Sequence, residues 1–245
     1  MKVLVLGASG ATGRLVLKHL LDRGMETKVV IRESAKIPDS HRDNKLLECI
    51  VGNISEFGMD EFYKLVADCD AVVSCLGHNI SFKGIFGKPR KLVTNCIENI
   101  CRAIMARNDT KTKLILMSTT AYRNTGMKEK YGCGDRMVLS TLYYLLPPHR
   151  DNVEAGLYLQ NTIGAGDGKI EWVMVRPDGL FDEEEVSGYE VHQSPKRSPI
   201  SDPGKTSRIN VSDFMIKLLL DEKLWKEWRY KLPVLYNIEL KTEGN

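Results

Sequence analysis

Lys2-Val3-Leu4-Val5-Leu6-Gly7-Ala8-Ser9-Gly10-Ala11-Thr12-Gly13-Arg14 decides the fold. The run Lys2 to Leu6 is short, rich in Val and Leu, and stops at a glycine, which suits a strand buried on both faces of a parallel sheet. The glycines Gly7, Gly10 and Gly13 then recur at every third position. Gly7 permits a tight turn, Gly10 lets backbone approach a bound group with no Cβ in the way, and Gly13 lets a helix pack closely on the sheet. From Ala11 to Arg23, the apolar residues Leu15, Val16, Leu17, Leu20 and Leu21 recur at helical spacing, and Gly24 supplies a stop. A glycine triplet alone matches many unrelated loops. Placed between a strand and a helix, it reads as a dinucleotide-binding turn, in which Ser9, Ala11, Thr12 and Arg14 accompany the glycines and the helix start faces phosphates.

Outward from that turn the chain alternates strand and helix. Strands are expected at Thr27 to Ile31, Leu46 to Val51, Asp70 to Leu76, Lys113 to Met117 and Trp172 to Val175, and helices at Met59 to Ala67, Arg90 to Ala106 and Asn152 to Asn161. Strands separated by helices imply right-handed crossovers. The expected class is α/β: a single Rossmann domain over residues 1–245, with a doubly wound, mostly parallel sheet and helices on both faces. Two stretches break the rhythm, at about 121–150 and 181–207. Long irregular connections after strands five and six lie where open α/β sheets bind ligands, so both are expected to be substrate loops. Leu142 to Leu146 reads as a buried helix segment. Phe214 to Leu220 reads as a helix capped by Ser212 or Asp213, and Trp225 and Trp228 as packing on one helical face.

Composition narrows the partners. The 245 residues are 42% hydrophobic and 27% charged, with a formal net charge of +3. Lys and Arg are scattered rather than clustered, which argues against nucleic acid. No window approaches the roughly 18 apolar residues a membrane helix needs, and Gly7, Ser9, Gly10 and Arg14 interrupt any export signal. The six cysteines show no CxxC and no zinc-like spacing, so no metal is expected. They read as reduced thiols in a cytoplasmic protein. A small-molecule substrate is the expected partner.

The residues at the end of the second strand select the cofactor. NAD-selective sites place an acid there to grip the ribose 2′-hydroxyl, whereas here Arg32 ends the strand, with Lys36 close behind and Arg14 just after the last glycine. Three cations suit a 2′-phosphate, and Arg32 suits it best, because a planar guanidinium binds phosphate oxygens in pairs. The expected cofactor is NADP(H). Glu33 is the rival reading, since a shift of one residue would put an acid at the selective place.

GASGATGR, VVIRESAKIP, VGNIS, DAVVSCLG, LILMSTTA, WVMVRPDGL and RINVSDF, in that order over most of the chain, resemble the atypical short-chain dehydrogenase/reductases. Within them the sequence is most similar to the NmrA-like and biliverdin-IXβ (flavin) reductase-like group. That resemblance implies NADP(H) bound on one Rossmann domain. It implies that Asn53 and Ile54 touch the cofactor, that Cys75, Leu76, Gly77 and Ser118 border the nicotinamide, and that Arg176 and Pro177 close the pocket. The Y-x-x-x-K pair of typical relatives is missing, since no tyrosine here has a lysine four places on. Three catalytic candidates remain. They are Ser118 as an orienting hydroxyl, Tyr122 as an aromatic wall or acid, and His149 as a proton source, each with a plain structural alternative. Two functions are open: an NADPH-dependent reductase of a small, flat, conjugated acceptor of flavin, quinone or tetrapyrrole type, or a non-catalytic NADP(H) sensor acting on a protein partner.

Overall fold

A computed structural model describes residues 1–35, 41, 43–78, 82–107, 111–127, 129, 131–166 and 168–238. Its strands are β1 (Lys2–Leu6), β2 (Glu26–Ile31), β3 (Leu47–Val51), β4 (Ala71–Ser74), β5 (Thr112–Met117), β6 (Ile170–Pro177), β7 (Leu180–Phe181), β8 (Tyr189–His192), β9 (Thr206–Ser207) and β10 (Val234–Asn237). Its α-helices are α1 (Gly13–Asp22), α2 (Met59–Val66), α3 (Phe82–Phe86), α4 (Leu92–Met105), α5 (Cys133–Leu145), α6 (Pro147–Leu157), α7 (Arg208–Leu220) and α8 (Glu222–Trp228). An eight-stranded sheet runs β3-β2-β1-β4-β5-β6-β10-β8. Every described pairing in it is parallel except β10 with β8. This is the doubly wound Rossmann arrangement, and its order reverses between β1 and β4.

The side-chain pattern shows why the sheet takes this form. Val29, Val5, Val73, Ile115 and Val173 stand opposite one another across β2, β1, β4, β5 and β6, and all are fully buried on one face. One pleat over, Leu4, Val72, Leu114 and Trp172 form the matching row on the other face. Strands buried on both faces have no polar side to present, hence the unbroken apolar runs. The valine face packs under α1 and α7, with Leu17, Leu20, Phe214 and Met215, and the leucine face under α2, α4 and α6, with Phe62, Ile97, Ile100 and Ala155. Each such side chain contributes roughly 1.5–3 kcal/mol.

Four expectations are corrected. The irregular stretch after β5 holds α5 and the start of α6, which Pro147 opens from its first turn. Leu142 to Leu146 is helical only through Leu145 and is not core: Tyr144 and Leu145 are 76% and 68% exposed. The late helix begins at Arg208 and is capped by Ser207, whose hydroxyl accepts from the Asn210 amide at 3.3 Å. Ser212 lies inside it, 3.0 Å from His19 Nδ1, which ties α7 to α1. Strands β10 and β8, the latter at the edge, also extend the sheet beyond the six strands expected. Trp225 and Trp228 do pack, at 1% and 5% exposure. Among the described residues no helix is long and apolar enough to cross a membrane.

Candidate functional site

The glycine turn joins β1 to α1 where the strand order reverses. Gly7 adopts φ +76°, and a Cβ there would sit 2.6 Å from the Cys75 carbonyl oxygen. At Gly13 a Cβ would meet the Gly7 carbonyl oxygen at 2.1 Å. Both glycines are therefore demanded by the protein's own backbone, so close is the approach of turn, helix and β4. Thr12 precedes α1 and makes no side-chain capping hydrogen bond. A helix start without a side-chain cap is a place where an anion can bind.

A cleft of about 340 Å³ opens beside the turn, at the carboxyl ends of β1, β2, β3 and β4. Gly7, Ser9, Gly10, Arg32, Asn53, Ile54, Cys75, Leu76 and Gly77 line it, so nine of the sequence candidates share one wall. Arg32 is exposed and makes no ion pair among the described residues. Asn53 accepts from the Ser55 hydroxyl at 2.9 Å and donates to Glu56 at 2.7 Å, which fixes the short 3-10 turn Ile54–Glu56 in that wall. Burial pushes the Cys75 thiol up to about 12, so it is a neutral, small hydrophobe rather than a nucleophile. The lining also includes Lys88 and His78 and, among the described residues, contains no Asp or Glu. A cleft of one sign of charge attracts an anion, and the residues present fit a dinucleotide phosphate chain.

Other candidates lie elsewhere. Ala11 and Arg14 are exposed, Thr12 and Gly13 are packed, and none of the four lines the cleft. Lys36 lies outside the described residues. Of the three cations expected at the 2′-phosphate, Arg32 is the one that lines the cleft among the described residues. Arg176 is corrected outright: it is wholly buried and forms a bidentate pair with Glu129 at 2.7 and 3.1 Å. It also donates to the Leu232 carbonyl at 2.8 Å and the Tyr122 carbonyl at 3.0 Å, so its fork is filled by protein. Pro177 is buried beside it in β6. Tyr122 is also corrected. It is 1% exposed, its hydroxyl donates to Gln160 at 2.6 Å, and burial raises it to about 12, which makes it a packing residue no substrate can touch.

Ser118 directly follows β5 at 7% exposure and does not line the cleft, and its hydroxyl oxygen is buried with no partner among the described residues. The hydroxyls of Ser74 and Thr112 are buried without partners in the same way. His149 is half-buried in the first turn of α6 and does not line the cleft; burial lowers its pKa. The two expected substrate loops converge on a second cavity of about 260 Å³, walled by Glu129, Tyr131 and Asp135 from the first and Ser194 to Ser198 from the second.

Sequence reading missed His78 and Asp151. His78 Nε2 lies 2.8 Å from the Asp151 carboxylate, and Asp151 also accepts the Val93 and Thr94 amides at 2.7 and 2.9 Å. His78 was within reach of inference, since it directly follows the Gly77 that ends the β4 motif. Asp151 carried no signal.

Residues 7–222 match the sequence profile described as NAD(P)H-binding. The chain belongs to that NAD(P)H-binding family. An uncharacterized chloroplastic protein of Arabidopsis thaliana is 26% identical over 223 residues, 91% of this chain and 73% of its own length. Among solved structures, the anaerobilin reductase ChuY of Escherichia coli O157:H7 is 15% identical at a TM-score of 0.67, covering 98% of this chain and 99% of its own. A short-chain dehydrogenase/reductase of Veillonella parvula DSM 2008, solved in complex with NADP, is 13% identical at a TM-score of 0.65 over 97% and 95%. The family agrees with the NAD(P)H-binding reading of the sequence, and these structures with its Rossmann fold.

Proposed function

We propose that this protein is an NADPH-dependent reductase of a small, flat, conjugated acceptor, acting as one domain over residues 1–245. The observation that carries the reading is the cleft itself, a glycine cradle and an Arg32 unpaired among the described residues, on a wall without carboxylates. Arg32 receives the 2′-phosphate as a planar, charge-assisted donor. The glycine turn and the start of α1 receive the pyrophosphate, while Ile54, Leu76 and the 3-10 turn wall the adenosine end. Bound there, the reduced nicotinamide supplies the hydride, so the chain need only position an acceptor and deliver one proton.

Ser118 is the residue we assign to orient the acceptor, because its buried hydroxyl has no partner among the described residues. His149 is a second proton source from α6. The likeness to a fold named an anaerobilin reductase supports a bilin-like or similarly conjugated acceptor. Six free thiols, four of them buried, support a reducing compartment such as the cytoplasm.

Calorimetric titration with NADPH and NADH, followed by the reduced-nicotinamide absorbance with flavin, quinone and tetrapyrrole acceptors, tests the reading. Tight NADPH binding with acceptor-dependent oxidation supports the reductase. Binding without oxidation across the panel would instead identify a sensor acting on a protein partner, and no binding of either nucleotide would remove the cofactor assignment.

A further inference from the structure

We propose that His78 is a phosphate ligand of the dinucleotide, held at the cleft wall by Asp151. The inference rests on the reading that the cleft beside the glycine turn takes NADPH. Its starting point is the unusual commitment of Asp151. The side chain is fully buried, and α4 donates two first-turn amides to its carboxylate, while the Thr94 hydroxyl donates to the Asp151 backbone carbonyl at 2.9 Å. The carboxylate is thus oriented by the helix, independently of His78. Burial alone would favour its neutral form, but the hydrogen bonds from His78, Thr94 and Val93 outweigh burial and hold it below the usual carboxylate range.

An ionised carboxylate only accepts, so His78 Nε2 carries the hydrogen of the 2.8 Å contact. The other ring nitrogen, Nδ1, has no partner among the described residues, although the side chain is only 6% exposed and lines the cleft. When the ring is neutral, Nδ1 is a lone pair that repels an anion. When the ring is charged, it is a donor, with Asp151 stabilising the charge from behind.

The surroundings select a phosphate. From β2 the cleft receives Arg32, and from the segment before α4 it receives Lys88, neither of them in an ion pair among the described residues. α6 presents Asp151 to His78. Its other charged side chains are engaged elsewhere: Glu154 binds Lys91 at 2.7 Å and Arg150 at 2.7 Å. Asp151 is thus the carboxylate that bonds His78, on the side of the ring away from Nδ1. Gly7 and Gly10 of the phosphate cradle lie on the same cleft wall as His78.

The test is calorimetric titration of the full chain with NADPH, wild type against His78→Gln. A charge-assisted hydrogen bond is expected to make the wild type bind about 10-fold tighter than His78→Gln. In parallel, NMR of the five histidines in the wild type reads the imidazole nitrogens directly, and NADPH should move the His78 pair. Equal affinities of the two proteins overturn the proposal, leaving His78 as a structural partner of Asp151. Should His78→Gln fail to fold, unmoved His78 resonances on saturation with NADPH overturn it just as firmly. If the wild type binds no NADPH at all, it is the cofactor reading that fails, a result distinct from either of these.

Discussion

Replacing Glu129 by Ala should destabilise the protein by about 4 kcal/mol while leaving NADPH affinity intact. The magnitude comes from the groups that the carboxylate holds. Arg176 is wholly buried, and two of its donors end on Glu129 at 2.7 and 3.1 Å. Removing one partner of a buried pair costs about 3–5 kcal/mol, because the remaining charge is left without compensation. Here the guanidinium keeps the carbonyls of Leu232 at 2.8 Å and Tyr122 at 3.0 Å, which argues for the lower end, near 3 kcal/mol. The Asn124 amide, which donates to Glu129 at 2.7 Å, is orphaned as well and adds about 1 kcal/mol. For a chain of this length each kcal/mol lowers the melting temperature by about 2–4 °C, so the expected drop is about 8–16 °C. Differential scanning calorimetry measures it, with NADPH titration of the same sample below the transition. A double variant, Arg176→Met with Glu129→Leu, should recover most of the loss, since a buried ion pair is often replaced by apolar groups without cost. Unchanged melting together with weakened NADPH binding would refute the reasoning and return Arg176 to the cofactor pocket, where its family motif had pointed.

Arg32→Ala should weaken NADPH binding about 10-fold and NADH binding hardly at all, as expected for one exposed charge-assisted contact to a 2′-phosphate; parallel titrations decide it, and an equal loss for both nucleotides would count against the assignment. Gly13→Ala should abolish binding of either nucleotide and lower the melting temperature, because the new Cβ would lie 2.1 Å from a backbone carbonyl that cannot yield without opening the turn; a stable variant that binds normally would contradict the stated geometry. For Asp151 the folded pKa is depressed below 3.8, so its contribution is present above that unfolded value and disappears as pH falls through the folded one. Asp151→Asn should therefore be less stable at neutral pH and show a flatter acid limb below about pH 4, read by denaturant midpoints across that range. A limb as steep as the wild type's would mean that another carboxylate governs acid unfolding.

The features legible in the sequence were those that the local backbone dictates. Gly7 and Gly13 are glycines because neighbouring carbonyls leave no room for a Cβ, and that constraint shows as spacing. The apolar runs of β1, β4 and β6 were legible because strands covered on both faces admit no polar alternation. Four-residue strands leave no such trace: β10 pairs with β6 on one side and with β8 on the other, each far away in the chain. Of α5 only the end was read as helical, and wrongly as buried, because its exposed Tyr144 and Leu145 mimic the composition of a core while facing solvent. The site divided along the same line. Residues set by strand ends, from Gly7 and Arg32 to Cys75 and Gly77, fell together on one wall. Arg176 and Asp151 did not follow, because each is defined by a partner 47 or 73 positions away, and a single sequence contains no record of such pairs. His78 stands between the two cases. Its position one residue beyond the β4 glycine marks it as a cleft residue by the strand-end rule, yet only the buried carboxylate behind it distinguishes a ligand-facing imidazole from a loop histidine. The chemistry of this site is thus carried by the residues that the strand-end rule locates and a distant partner then orients.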